Sequence, residues 1–141
     1  MTTSKQHNLL ASALLAAAIA IAIFAIPAAA SSSLKITNCN KAASKPSQLT
    51  LTCGDGNTFL KGLSWSSFGG STAQGKGTFV TNTCKPNCSA GKNVSYPATV
   101  KATGSKKCKG ATVYAKLSLT FTGSKKPASN IPRSWSFFCP S

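Results

Sequence analysis

Six cysteines, Cys39, Cys53, Cys84, Cys88, Cys108 and Cys139, all lie beyond residue 38, and no other feature limits the fold as strongly. An even set in an exported chain reads as a disulfide framework, whereas in the cytoplasm it points to metal or redox chemistry. The N-terminus decides between the two. Lys5 and the free amino group precede an apolar run of 18 residues, Leu9 to Ile26, broken only by Ser12. Pro27 and Ala28-Ala29-Ala30-Ser31 follow, so residues 1–30 have the order of a secretory signal peptide cleaved after Ala30. The same run reaches the length of a membrane-spanning helix, and retention as an anchor is the alternative. In both cases Lys5 stays inside and residues 31–141 are expected outside, secreted or tethered to the membrane.

Export makes three disulfides the expectation, with free, buried thiols as the alternative. Many pairings remain open. Cys84 and Cys88 flank Lys85-Pro86-Asn87, a turn-forming stretch, and Cys39 precedes Cys53 by 14 residues on what reads as a neighbouring strand. If both pair, Cys108 and Cys139 are left for each other.

Residues 31–141 are enough for one core and too few for two. They show short apolar alternations and no helical period. Val113, Ala115, Leu117, Leu119 and Phe121 fall on one face of a predicted strand, with Thr112, Tyr114, Lys116, Ser118 and Thr120 on the other. Tyr96, Ala98, Val100 and Ala102 repeat the pattern, as do Leu49 with Leu51 and, less regularly, Phe59, Leu63 and Trp65. Thr78 to Thr81 and Trp135 to Phe138 are further candidates, and Leu34 to Thr37 is expected to open the sheet. Gly54-Asp55-Gly56-Asn57, Phe68-Gly69-Gly70-Ser71, Gly91-Lys92-Asn93 and Gly104-Ser105 read as turns between them. About seven strands at this spacing predict an all-β domain, a single antiparallel β-sandwich or barrel-like fold, preceded by an N-terminal hydrophobic helix.

The charge is extreme, +15 at pH 7. Of 16 Lys and Arg only Lys5 precedes Ser31, so 14 lysines and Arg133 stand against Asp55 alone. A surface of this kind attracts polyanions, and it also opposes aggregation. Lysine is a point charge without the bidentate fork of arginine, which favours loose electrostatic adhesion over geometric readout. Lys106, Lys107, Lys109, Lys125 and Lys126 are the candidate polyanion contacts. They belong to an internal echo, Thr103-Gly104-Ser105-Lys106-Lys107 and Thr122-Gly123-Ser124-Lys125-Lys126. If one long strand separates the copies, they lie at opposite ends of a sheet, and a loop preference accounts for them better than a duplicated motif.

The same composition argues against catalysis. Beyond Ala30 there is no His, no Glu and one Asp, which rules out a pair of glycosidase carboxylates, a Ser-His-Asp triad and a His-based zinc site. A Ser-Lys dyad stays formally open because both residues are abundant. Asp55 sits in a stretch with a faint likeness to a calcium loop, but one carboxylate does not supply such a loop, and closure of a turn or a pair with Lys or Arg133 explains it better. Trp65-Ser66-Ser67-Phe68-Gly69 suits a sugar-stacking platform less well than a core tryptophan before a turn. No cofactor is implied.

Four stretches carry a resemblance: Leu51-Thr52-Cys53-Gly54-Asp55-Gly56-Asn57, Leu63-Ser64-Trp65-Ser66-Ser67-Phe68-Gly69, Asn82-Thr83-Cys84-Lys85-Pro86-Asn87-Cys88-Ser89-Ala90-Gly91, and Tyr96-Pro97. In order and spacing they resemble a group of small secreted proteins of actinobacteria that read Cys-x-Asp-Gly-Asn, Trp-Ser-Ser-Trp-Gly, Asn-x-Cys-x-Pro-Asn-Cys-Ala-x-Gly and Tyr-Pro. The likeness runs from about Lys45 to Val100. Phe68 replaces the usual second Trp and Ser89 the usual Ala. The resemblance implies export and disulfides and brings no activity with it.

The expectation is therefore an exported, non-catalytic β module that adheres to anionic cell-wall polymer or a membrane surface, or acts there as a structural or interaction protein. Export ranks these partners above nucleic acid. The alternative is a secreted basic effector, membrane-active or inhibitory.

Overall fold

The structure is a computed structural model in which residues 33–140 are described, and the leader expected at residues 1–30 lies outside them. Among the described residues there is no helix. Ten strands are present: β1 (Ile36–Asn38), β2 (Lys41–Ala43), β3 (Leu49–Thr50), β4 (Thr58–Ser67), β5 (Thr72–Asn82), β6 (Asn93–Thr103), β7 (Lys106–Cys108), β8 (Ala111–Val113), β9 (Lys116–Phe121) and β10 (Ser134–Ser136). Six of them form one curled antiparallel sheet in the order β10-β9-β6-β5-β4-β3. The other four make two separate hairpins, β1-β2 and β7-β8.

β6 follows its alternation directly. Tyr96, Ala98, Val100 and Ala102 are buried, while Ser95, Pro97, Thr99 and Lys101 face out. Proline in an inner strand normally breaks the ladder. Pro97 is tolerated because its missing N–H points past the end of β9, where its carbonyl accepts the Thr122 N–H at 3.0 Å. β4 and β5 are less obvious. β4 slips register twice against β5, between Lys61 and Ser64 and between Trp65 and Ser67, which explains the irregular spacing of Phe59, Leu63 and Trp65. A Cβ on Gly75 would lie 2.7 Å from the Ser64 carbonyl, and one on Gly77 2.9 Å from that of Lys61. The two glycines let the bulged strand lie close, so that Leu63 and Trp65 take the core space that side chains on β5 would fill. Such bulges bend and twist a sheet.

The core gathers on the inner face. Phe79 is wholly buried, edge-on to Phe121 at 5.2 Å and beside Trp135 at 6.0 Å. Trp65 packs against this core, donates its indole N–H to the Pro46 carbonyl at 2.9 Å and meets Phe68 at 5.0 Å.

Two strand expectations need correction. Thr112 to Phe121 is not one strand: it breaks at Tyr114, because the chain there leaves the β7-β8 hairpin to join the main sheet. Tyr114, expected to face outward, is completely buried, and its hydroxyl accepts the Gly69 N–H and donates to the Gly70 carbonyl, both at 2.9 Å. The segment Leu34 to Thr37 does not open the sheet either. Lys35 bridges to Val113, and β1 pairs with β2.

Three disulfides hold the periphery. Cys39–Cys53 ties the β1-β2 turn to the segment after β3, Cys84–Cys88 closes the loop between β5 and β6, and Cys108–Cys139 ties β7 to the chain beyond β10. The first and third close loops of 14 and 31 residues, each contributing about 2–4 kcal/mol. Three disulfides are consistent with an extracellular protein.

Candidate anion-binding face

The outer face of the central sheet is set by the same alternation that builds the core. Lys61 pairs with Thr78, which pairs with Pro97; Lys76 pairs with Thr99; Lys101 pairs with Gln74 and Ser118; Lys116 pairs with Thr103. Each residue of this set points away from the core, and the four lysines are exposed. From β4 to β9 each lysine stands two residues further along than the last, measured on β6: level with Pro97, then Thr99, then at 101, then level with Thr103. The result is one oblique row, Lys61, Lys76, Lys101, Lys116, with one cation on each of four adjacent strands. Diagonal cross-strand neighbours lie roughly 7–8 Å apart, so charge recurs along the row at about that interval.

Beside the row lies a depression of about 620 Å3, lined by Lys76 and Lys101 together with Ser64, Gln74, Thr99 and Ser118. Its rim is held by hydrogen bonds across β4 and β5, in which the Ser67 hydroxyl accepts the Gln74 N–H and the Ser66 hydroxyl donates to the Gln74 carbonyl, both at 3.1 Å. Hydroxyl and amide groups next to ammonium groups suit a ligand that carries both anionic and hydroxyl oxygens.

The lysines singled out from sequence sit elsewhere. Lys106, Lys107 and Lys109 lie in or beside the β7-β8 hairpin, and Lys125 and Lys126 follow β9. β6 and β9 are antiparallel neighbours, so the two copies of the echo fall at opposite ends of the sheet. Three of these side chains turn back onto the protein. Lys106 donates to the Phe137 carbonyl at 3.0 Å and lies over Phe138, Lys126 donates to the Phe121 carbonyl, and Lys125 lies 5.9 Å above the Tyr96 ring. The outer-face row is not visible in sequence because it exists only once register is known. Lys101 was legible as the outward partner of Val100 and Ala102, whereas Lys76 was masked by its flanking glycines.

Asp55 takes no part in this face. It is fully exposed, and its carboxylate accepts the Asn57 N–H at 3.0 Å, closing the turn. That bond, with a further one from Thr52, holds its carboxyl below the usual 3.8. One carboxylate cannot neutralise 15 cations. Among the described residues no cluster of three His, Cys, Asp or Glu is placed to hold a metal. Compared with family models, curated proteins and solved structures, the chain matches none of them.

Proposed function

We propose that this domain is an exported, non-catalytic adhesion module, and that it binds anionic polymers of the cell envelope along the row Lys61, Lys76, Lys101, Lys116. The observation that carries this reading is the row itself, four cations aligned across four strands with no acid on the same face. A polymer bearing one charge every 7–8 Å or so matches it without any need for bidentate contacts. Phosphodiester-linked polyols, which pair charge with hydroxyls, fit the depression beside the row. The curled sheet then serves as a barrel-like scaffold whose outside is the adhesive surface, with the core and disulfides keeping it rigid.

The test is a salt titration of binding to purified wall polymer, anionic vesicles and nucleic acid. Binding to wall polymer is expected to weaken with a log–log salt slope of about three to four, one increment per lysine engaged. Replacing the four row lysines by glutamine abolishes it. Replacing Lys106, Lys107, Lys109, Lys125 and Lys126 leaves most of it. The opposite ranking of these variants, or binding indifferent to salt, sinks the proposal. Leakage of anionic vesicles at the same protein concentrations would favour a membrane-active effector instead.

A further inference from the structure

The two edges of the central sheet are not equivalent. At β3, the Asn38 side chain takes the place of a neighbouring strand: its Oδ1 accepts the Thr50 N–H at 3.0 Å and its Nδ2 donates to the Gln48 carbonyl at 3.3 Å. Among the described residues β10 has no such cover. The Leu119 N–H donates to the Arg133 carbonyl and the Phe137 N–H to that of Ala115, so the odd-numbered residues of this strand bond inward to β9. By alternation the N–H and C=O groups of Ser134 and Ser136 point the other way. They border a cleft of about 430 Å3 that separates β10 from Thr37, Leu51 and the Cys39–Cys53 disulfide. Trp135 and Phe138 line its near side, and Phe138 is 77% exposed.

The geometry points to β10 as the docking edge for one extended peptide segment of a partner protein, which lies in this cleft as an added strand. Its backbone pairs with Ser134 and Ser136, and an apolar side chain enters between Leu51 and the rings of Trp135 and Phe138. Only a peptide backbone supplies donors and acceptors at strand spacing, and alternate side chains then give selectivity. An acyl chain would satisfy the apolar lining and leave every one of these polar groups unpaired. Charge selects the partner further. The chain carries a net charge of +15, so acidic residues on either side of the apolar one are favoured. A second copy of this domain, with the same excess of cations, is repelled.

The test uses the full chain with its disulfides formed and a panel of capped, fluorescent heptapeptides. Each carries glutamates at its ends and Leu, Phe or Ser at its centre. The Leu or Phe peptide is expected to bind saturably and the Ser peptide more weakly. N-methylation of the alternate amides that face β10 should weaken binding about tenfold, the loss of roughly two hydrogen bonds. This change leaves the protein untouched, so misfolding cannot imitate it. Phe138→Ser is expected to fold, because the ring is 77% exposed, and to bind the Leu and Phe peptides several-fold less tightly. The proposal is overturned if no peptide of the panel binds, if the N-methylated peptide binds equally well, or if palmitate occupies the cleft and no peptide does. Wall-polymer binding by the lysine row is measured separately and is unaffected by either result.

Discussion

On the inner face of β6, Tyr96, Ala98, Val100 and Ala102 are nearly solvent-free, while one residue away Pro97, Thr99 and Lys101 are exposed on the outer face. β5 repeats the contrast, with Phe79 inside and Gln74 and Lys76 outside. The two faces differ in the size of what each contributes. Two lysines about 7–8 Å apart in water repel by roughly 0.5 kcal/mol, less once salt screens them. Three neighbouring pairs along the row therefore oppose folding by only ~1.5 kcal/mol. A single buried aromatic on the inner face outweighs that. The core can carry a uniformly positive outer face, which is why the row is compatible with the fold although it does nothing to stabilise it.

This division of labour breaks most visibly at Phe79. Phe79→Ala removes the ring shared by Tyr96, Phe121 and Trp135, and a loss of about 3–5 kcal/mol is expected in guanidinium unfolding. The molecules that remain folded should bind wall polymer as before. A loss below about 1 kcal/mol would mean that the inner face is not the source of stability. Next in size is Tyr114→Phe, which leaves the Gly69 N–H and the Gly70 carbonyl without their partner and is expected to cost about 1–3 kcal/mol. Its effect should show as loosening of the turn from Phe68 to Ser71, read by amide hydrogen exchange.

The faces were unequally legible in sequence. The alternation in β6 and in the Leu117 to Phe121 part of β9 was plain, because period-two patterns survive wherever a strand is unbroken. The first half of β5 was invisible. Gly75 and Gly77 have no side chain to alternate, and the core positions they vacate are filled from β4 across a bulge, a compensation between strands that no single segment records. Tyr114 falls on the outward face only if Thr112 to Phe121 is one unbroken strand; the strand breaks at Tyr114, and the partners that hold its hydroxyl in the interior lie 44 and 45 residues away. The basic character of the domain was evident from composition. Its arrangement was not, since adjacent lysines in sequence were conspicuous while the aligned ones are separated by up to 55 positions, Lys61 to Lys116.

Lys101→Gln sharpens the outer-face half of the comparison. Stability is expected to stay within about 0.5 kcal/mol of the original or to rise slightly, as one repulsive neighbour is removed from each side. The salt slope for polymer binding should fall by about one. A marked loss of stability would show that Lys101 holds the sheet together, which contradicts its exposure.

The smallest effect concerns protons, and its direction follows from composition and one turn. Residues 33–140 contain Asp55 and no Glu or His. Nothing there changes charge between pH 8 and about pH 5, so stability measured by guanidinium midpoint should be flat across that interval. Below it Asp55 matters. Its ionised carboxylate accepts hydrogen bonds from Asn57 and Thr52 in the folded protein, so its folded pKa lies below the unfolded one. The unfolded chain therefore takes up a proton first. The contribution is complete above the unfolded value, near 3.9, and disappears as pH falls through the folded value. Full exposure keeps it small. The terminal carboxyl titrates in the same window, so the decline is assigned by comparison with Asp55→Asn, whose midpoint should vary less with pH below about 4. A decline that begins near pH 6 in a protein of residues 31–141 would break this expectation, because nothing in the described residues titrates there.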